Sequence, residues 1–119
     1  MKNKIFLLSS CSTCVRISKE LGITPDNFDI QDIKQNPVSE DTIDAVAKQE
    51  GSYEAMFSKR AMKYKAMGLK EMNLTEKDLK EHMLAEYTFL KRPIIQVGSE
   101  YYVGNAKKTI EAVKLALSK

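Results

Sequence analysis

The chain has 119 residues, 43% hydrophobic and 29% charged, with nineteen basic against sixteen acidic side chains for a net charge of +3. That length suits one domain with a single core, and the charge excess is too small to nominate duplex nucleic acid as a partner. No apolar run approaches the roughly 20 residues a membrane span needs. The short apolar stretch Ile5 to Leu8 lacks the small-residue cleavage site of a signal peptide, so the expectation is a cytoplasmic monomer without membrane or direct nucleic-acid contact.

Lys4 to Leu8 reads as a short buried strand. Cys11-Ser12-Thr13-Cys14 follows, holding both cysteines of the chain, and Cys14, Ile17 and Leu21 repeat at helical spacing until Gly22 supplies a left-handed stop. Beyond Pro25, Phe28 and Ile30 alternate with polar neighbours, which predicts a second strand and hence a parallel, right-handed β-α-β unit.

From Pro37 to about Tyr87 the pattern turns helical. Ser39 is placed to cap a helix with Glu40 and Asp41 in its first turn, Ile43, Val46 and Ala47 on its apolar face, and Gly51 at its end. A further helical stretch is predicted from Ser52 through Met67. Thr75 to Asp78 has the pattern of a capping box, with Leu74 and Leu79 at the positions of a hydrophobic staple.

Strands return in the last third. Pro93 to Val97 and Tyr101 to Val103 flank Gly98-Ser99-Glu100, a composition suited to a tight antiparallel hairpin. Asn105 is then predicted to cap a closing helix with Ala106, Ile110, Val113 and Leu117 along one face. The order specifies an α/β, thioredoxin-like domain: residues 1–119 as one unit, a small mixed four-stranded sheet, and an inserted all-helical region at about 37–90. In such a layout a proline beginning the third strand lies opposite the active thiol, and a cis bond between Arg92 and Pro93 would position that backbone.

A thiol in the first turn of a helix feels unpaired backbone N–H groups and the positive end of the helix dipole, both of which favour thiolate. Cys11 is therefore the expected nucleophile and Cys14, one turn further in, the resolving thiol. Structural zinc is disfavoured because a closed site wants four ligands, and His82 is the only obvious addition to the two sulfurs; no metal is expected. Arg60 and Arg92 are the cationic candidates, since a guanidinium fits an oxyanion bidentately and favours a neighbouring thiolate. The basic run Lys59, Arg60, Lys63, Lys65 and Lys70 otherwise reads as a solvated helix face.

Together, Cys11-Ser12-Thr13-Cys14, Ser58-Lys59-Arg60, Leu90-Lys91-Arg92-Pro93-Ile94-Ile95 and Val103-Gly104 resemble the arsenate reductase/Spx family of thioredoxin-like proteins over essentially the whole chain. The resemblance implies a thiol-dependent redox protein: Cys11 attacks a small oxyanion or a disulfide, Arg60 and Arg92 hold the substrate beside Pro93, and glutathione with glutaredoxin, or thioredoxin, returns the electrons with no bound cofactor. Two departures bear on this. Gly104-Asn105-Ala106-Lys107-Lys108 carries no arginine where arsenate reductases place a third one, and a second cysteine at Cys14 is typical of the Spx branch. The alternative implied is thus a redox-sensing regulator that binds the RNA polymerase alpha subunit, with Gly51 near the position of a glycine used in that contact. The short segment after the last helix tips the expectation towards the reductase branch.

Overall fold

The computed structural model describes residues 3–118. The chain divides into two compact units, one drawn from the segments up to Asn36 and from Arg92 onward, the other comprising Pro37–Lys91.

In the first unit β1 (Asn3–Leu7), α1 (Ser12–Leu21) and β2 (Phe28–Asp32) form the predicted crossover, with β1 and β2 parallel in the register Ile5 to Ile30 and Leu7 to Asp32. β3 (Ile94–Val97) runs antiparallel on the other side of β1, and β4 (Glu100–Val103) folds back on β3. The result is a mixed four-stranded sheet in the order β2-β1-β3-β4, closed by α5 (Lys107–Leu117). Alternation along β1 puts Ile5 and Leu7 on one face, where they cluster with Ile17 of α1, Phe28, Ile95, and Ile110 and Val113 of α5. Burying each such side chain contributes about 1.5–3 kcal/mol. Phe6 and Ile94, paired across the ladder, are buried on the opposite face.

Gly22 ends α1 at φ 68°, as predicted, donating its N–H to the Lys19 carbonyl at 3.2 Å. The start of α5 departs from expectation. Its N-cap is Ala106, without a side-chain cap, and Asn105 lies one residue too early. The reason is upstream: Gly104, at φ 90°, donates its N–H to the Pro93 carbonyl at 2.9 Å, which fixes where the chain leaves the hairpin. Asn105 instead lines a cleft between α1 and α5 with Arg16 and Lys107, and Ala106 is exposed rather than part of the apolar face.

The second unit holds α2 (Glu40–Glu50), α3 (Met62–Ala66) and α4 (Glu76–Ala85). Ser39 caps α2 by accepting the Thr42 N–H at 3.2 Å, and Gly51 closes it at φ 94°. The capping box of α4 forms in full, Thr75 Oγ1 accepting the Asp78 N–H at 3.2 Å and Asp78 Oδ2 accepting the Thr75 N–H at 3.0 Å. Between them the predicted Ser52 to Met67 helix is broken. A 3-10 turn at Glu54–Met56 gives way to extended backbone at Phe57, and α3 is only five residues long. Tertiary pairing overrides helix propensity here. Phe57 bridges Leu90, the Ser58 N–H reaches the Phe89 carbonyl at 2.6 Å, and the Lys91 N–H reaches the Met56 carbonyl at 3.0 Å. The rings of Phe57 and Phe89 stack at 5.1 Å, with Tyr64 edge-on to Phe57 and His82 edge-on to Phe89.

Candidate functional site

β1 ends at Leu7, and the chain turns through Leu8, Ser9 and Ser10 before Cys11 becomes the N-cap of α1. The turn is closed by the Cys11 N–H donating to the Leu8 carbonyl at 2.9 Å. Cys11 has extended backbone (φ −86°, ψ 117°), and its own carbonyl accepts the Val15 N–H at 3.1 Å as the first bond of the helix. Its side chain is half-buried; Cys14, one turn on, faces the core and is fully buried. The two cysteines are free and lie 3.8 Å apart.

Their electrostatics diverge because their surroundings do. Burial pushes the Cys11 thiol up, but the backbone N–H of Cys14, the Cys14 thiol, the Thr13 N–H and the Arg92 charge together more than offset it, leaving Cys11 below its ordinary value of 9.0. The sulfur closes no capping hydrogen bond of standard geometry, so these groups act as oriented dipoles and charge around a partly open thiol. For Cys14 burial dominates and the neighbouring Cys11 charge adds to it, so that thiol is pushed up to about 11 despite a hydrogen bond with the Leu8 backbone and the Arg92 charge. The thiolate is favoured on one sulfur and the proton on the other.

Arg92 stands at the entry to β3, joined to Pro93 by a cis peptide bond, and is half-buried. It is the cation whose charge acts on both thiols. Pro93 is buried, and its carbonyl anchors Gly104 at 2.9 Å. The structure thus brings Cys11, Cys14, Arg92 and Pro93 into one unit. Arg60 belongs to the other, exposed in the turn ahead of α3. His82 packs against Phe89 inside that unit, and among the described residues no group of three or more His, Cys, Asp or Glu side chains is arranged to hold a metal ion. No described helix is long and apolar enough to cross a membrane.

Sequence reasoning missed one connection. Ser9, two residues before Cys11, donates its hydroxyl to Asp32 Oδ2 at the end of β2. A separation of 23 residues leaves no local signature, although Ser9-Ser10 could have been recognised as turn residues.

Among solved structures, a possible arsenate reductase from Streptococcus mutans superposes with a TM-score of 0.75 at 23% identity, covering 93% of this chain and 96% of that one. An arsenate reductase from Vibrio cholerae gives 0.72 at 19%, covering 96% and 97%. An arsenate reductase related protein from Brucella melitensis gives 0.70 at 20%, covering 94% and 93%. At such identities these likenesses establish a shared thioredoxin-like fold. No curated protein matches the chain. The ArsC family model matches residues 6–113, a span that takes in Cys11, Cys14, Arg60, Arg92 and Pro93, and the chain belongs to the ArsC family.

Proposed function

We propose that the protein is a thiol-dependent oxidoreductase of the arsenate reductase type, with Cys11 as nucleophile and Cys14 as resolving thiol. The observation that carries this is the opposed titration of two cysteines 3.8 Å apart, one lowered at the helix start and one raised in the core. With a disulfide substrate, the Cys11 thiolate attacks one sulfur; a new S–S bond forms, the old one breaks, and the other sulfur leaves as thiolate and takes up a proton. Formation of the adduct removes the negative charge on Cys11, which is one of the causes holding the Cys14 proton. Cys14 then loses that proton to solvent, attacks the Cys11 sulfur and expels the second substrate thiolate. The Cys11–Cys14 disulfide so formed needs two electrons from a dithiol or from glutathione, supplied through glutaredoxin or thioredoxin. With arsenate the first attack forms an S–As(V) bond, and the departing oxygen takes up protons and leaves as water; attack by Cys14 on the Cys11 sulfur then breaks the S–As bond, forming the disulfide and leaving the electron pair on arsenic, released as arsenite. Arg92 stabilises charge on the substrate oxygens, and we extend that role to Arg60 on the family resemblance. We place this chemistry in the cytoplasm, where thiols are kept reduced.

The same pair supports a second reading, a redox-sensing regulator in which closing the disulfide shifts the first turn of α1 and alters affinity for the RNA polymerase alpha subunit. One experiment separates the two. Cys14→Ser protein incubated with cell lysate is expected to trap substrate or reductant on Cys11 as a mixed disulfide; glutathione or glutaredoxin supports the enzyme, a transcription component supports the regulator. Undiminished thiol consumption by Cys11→Ser would end the enzyme reading.

A further inference from the structure

The turn that delivers Cys11 to α1 has little cohesion of its own. Its centre, Ser9 and Ser10, is exposed, and its backbone is closed by the 2.9 Å bond from Cys11 to Leu8. Short polar residues without packing leave such a segment open to local unfolding. The Cys11 sulfur, in turn, depends on facing the N–H groups of Thr13 and Cys14, and that alignment is set by where the turn releases the chain.

One side chain from another element ties the turn down. Asp32, the last residue of β2, pairs with Leu7 across the parallel ladder, and the next N–H, of Ile33, donates to the Leu7 carbonyl at 2.9 Å. Its Oδ1 accepts the Lys34 N–H at 3.0 Å, while its backbone carbonyl accepts from Gln35 and Asn36 at 3.2 and 2.9 Å. The carboxylate is therefore fixed by its own strand and turn, and the remaining oxygen accepts the Ser9 hydroxyl, with the Ser9 backbone N–H adding to the hold. Capping its own turn is ordinary for an aspartate at a strand end; the bond to Ser9 is not needed for that.

We propose that Asp32 is a positioning residue for Cys11, its carboxylate holding Ser9 and thereby the turn that sets the cysteine at the start of α1. The inference rests on the assignment of Cys11 as nucleophile. It can be told apart from a plain charge effect by sign. Deleting a nearby negative charge alone favours a thiolate, whereas loosening the turn takes the N–H groups out of line and disfavours it. The charged and titratable groups acting on Cys11 are Cys14 from α1 and Arg92 at the entry to β3, and the cation acting on Asp32 is Lys34.

The test is the pH dependence of iodoacetamide alkylation of Cys11 in the full chain on a Cys14→Ser background, with folding followed by circular dichroism. Asp32→Ala and Ser9→Ala should each raise the midpoint, and the double variant no further than the larger of the two. Thiolate at a pH well below the midpoint falls roughly tenfold for each unit of rise. Asp32→Asn removes the charge and leaves one carbonyl acceptor; turned to Ser9, it should keep the midpoint below that of Asp32→Ala. Because Ser9 is exposed, Ser9→Ala probes the contact even should Asp32→Ala unfold. A midpoint unchanged or lowered in folded Ser9→Ala or Asp32→Ala, or additive shifts in the double variant, would overturn the proposal while leaving Cys11 as nucleophile. A parent midpoint equal to that of free cysteine would instead remove the assignment of Cys11 itself.

Discussion

Cys11 and Cys14 lie 3.8 Å apart with their acidities shifted oppositely, Cys11 towards thiolate and Cys14 towards thiol, because the first sits where α1 begins and the second one turn deeper, in the core. Graded alkylation should therefore proceed in two well-separated steps. One equivalent of label is expected near neutral pH, located on Cys11 by peptide mass spectrometry, and the second only towards pH 11 or after unfolding. Equal labelling of both thiols at neutral pH would contradict the assignment.

Arg92 is the cation that favours both thiolates. Arg92→Ala should raise the alkylation midpoint of Cys11 and slow turnover, by about tenfold if the change is near one unit. Arg92→Lys keeps the charge but loses the planar fork. It should hold the midpoint close to the parent while weakening oxyanion use, seen as a raised KM for arsenate with a disulfide substrate less affected.

Much of this site was legible from the chain alone, because local chemistry decides it. A strand, a cysteine at a helix start and a left-handed glycine at its end are all short-range signals, and the same holds for the Ser39 and Thr75 caps. What failed was decided at long range. Phe57 pairs with Leu90, more than thirty residues away, and breaks a segment whose composition favours helix. The Pro93 carbonyl, held by Gly104, shifts the start of α5 past Asn105. The bond from Ser9 to Asp32 likewise joins positions that no spacing rule connects.

The capping box offers a direct stability test. Thr75 and Asp78 satisfy one another's N–H groups at the start of α4, close to where Glu76 accepts the Tyr53 N–H at 2.6 Å. Thr75→Ala removes the hydroxyl acceptor and should cost about 1 kcal/mol, with Thr75→Ser restoring most of it. Urea unfolding at constant slope measures this; a loss under a few tenths of a kcal/mol would mean that α4 frays there in solution.

Alkaline pH should expose the burial of Cys14 as lost stability. A group whose folded pKa is raised binds its proton more tightly in the folded state, so its stabilisation is complete below the unfolded value of 9.0 and lost as pH rises towards about 11. Cys11 has the opposite sign: its folded value is lowered, so its stabilisation is complete above 9.0 and declines as pH falls below it. Between 9.0 and 11 the Cys11 contribution is constant, while the raised Tyr53 and Lys80 contribute equally to parent and variant, so the difference from Cys14→Ala isolates Cys14. Urea unfolding across that window, under reducing conditions, should show the parent losing on the order of 1–2 kcal/mol more than Cys14→Ala. Parallel curves would mean that solvent reaches the Cys14 sulfur in the folded protein, and the resolving thiol would then be ready before any adduct forms on Cys11.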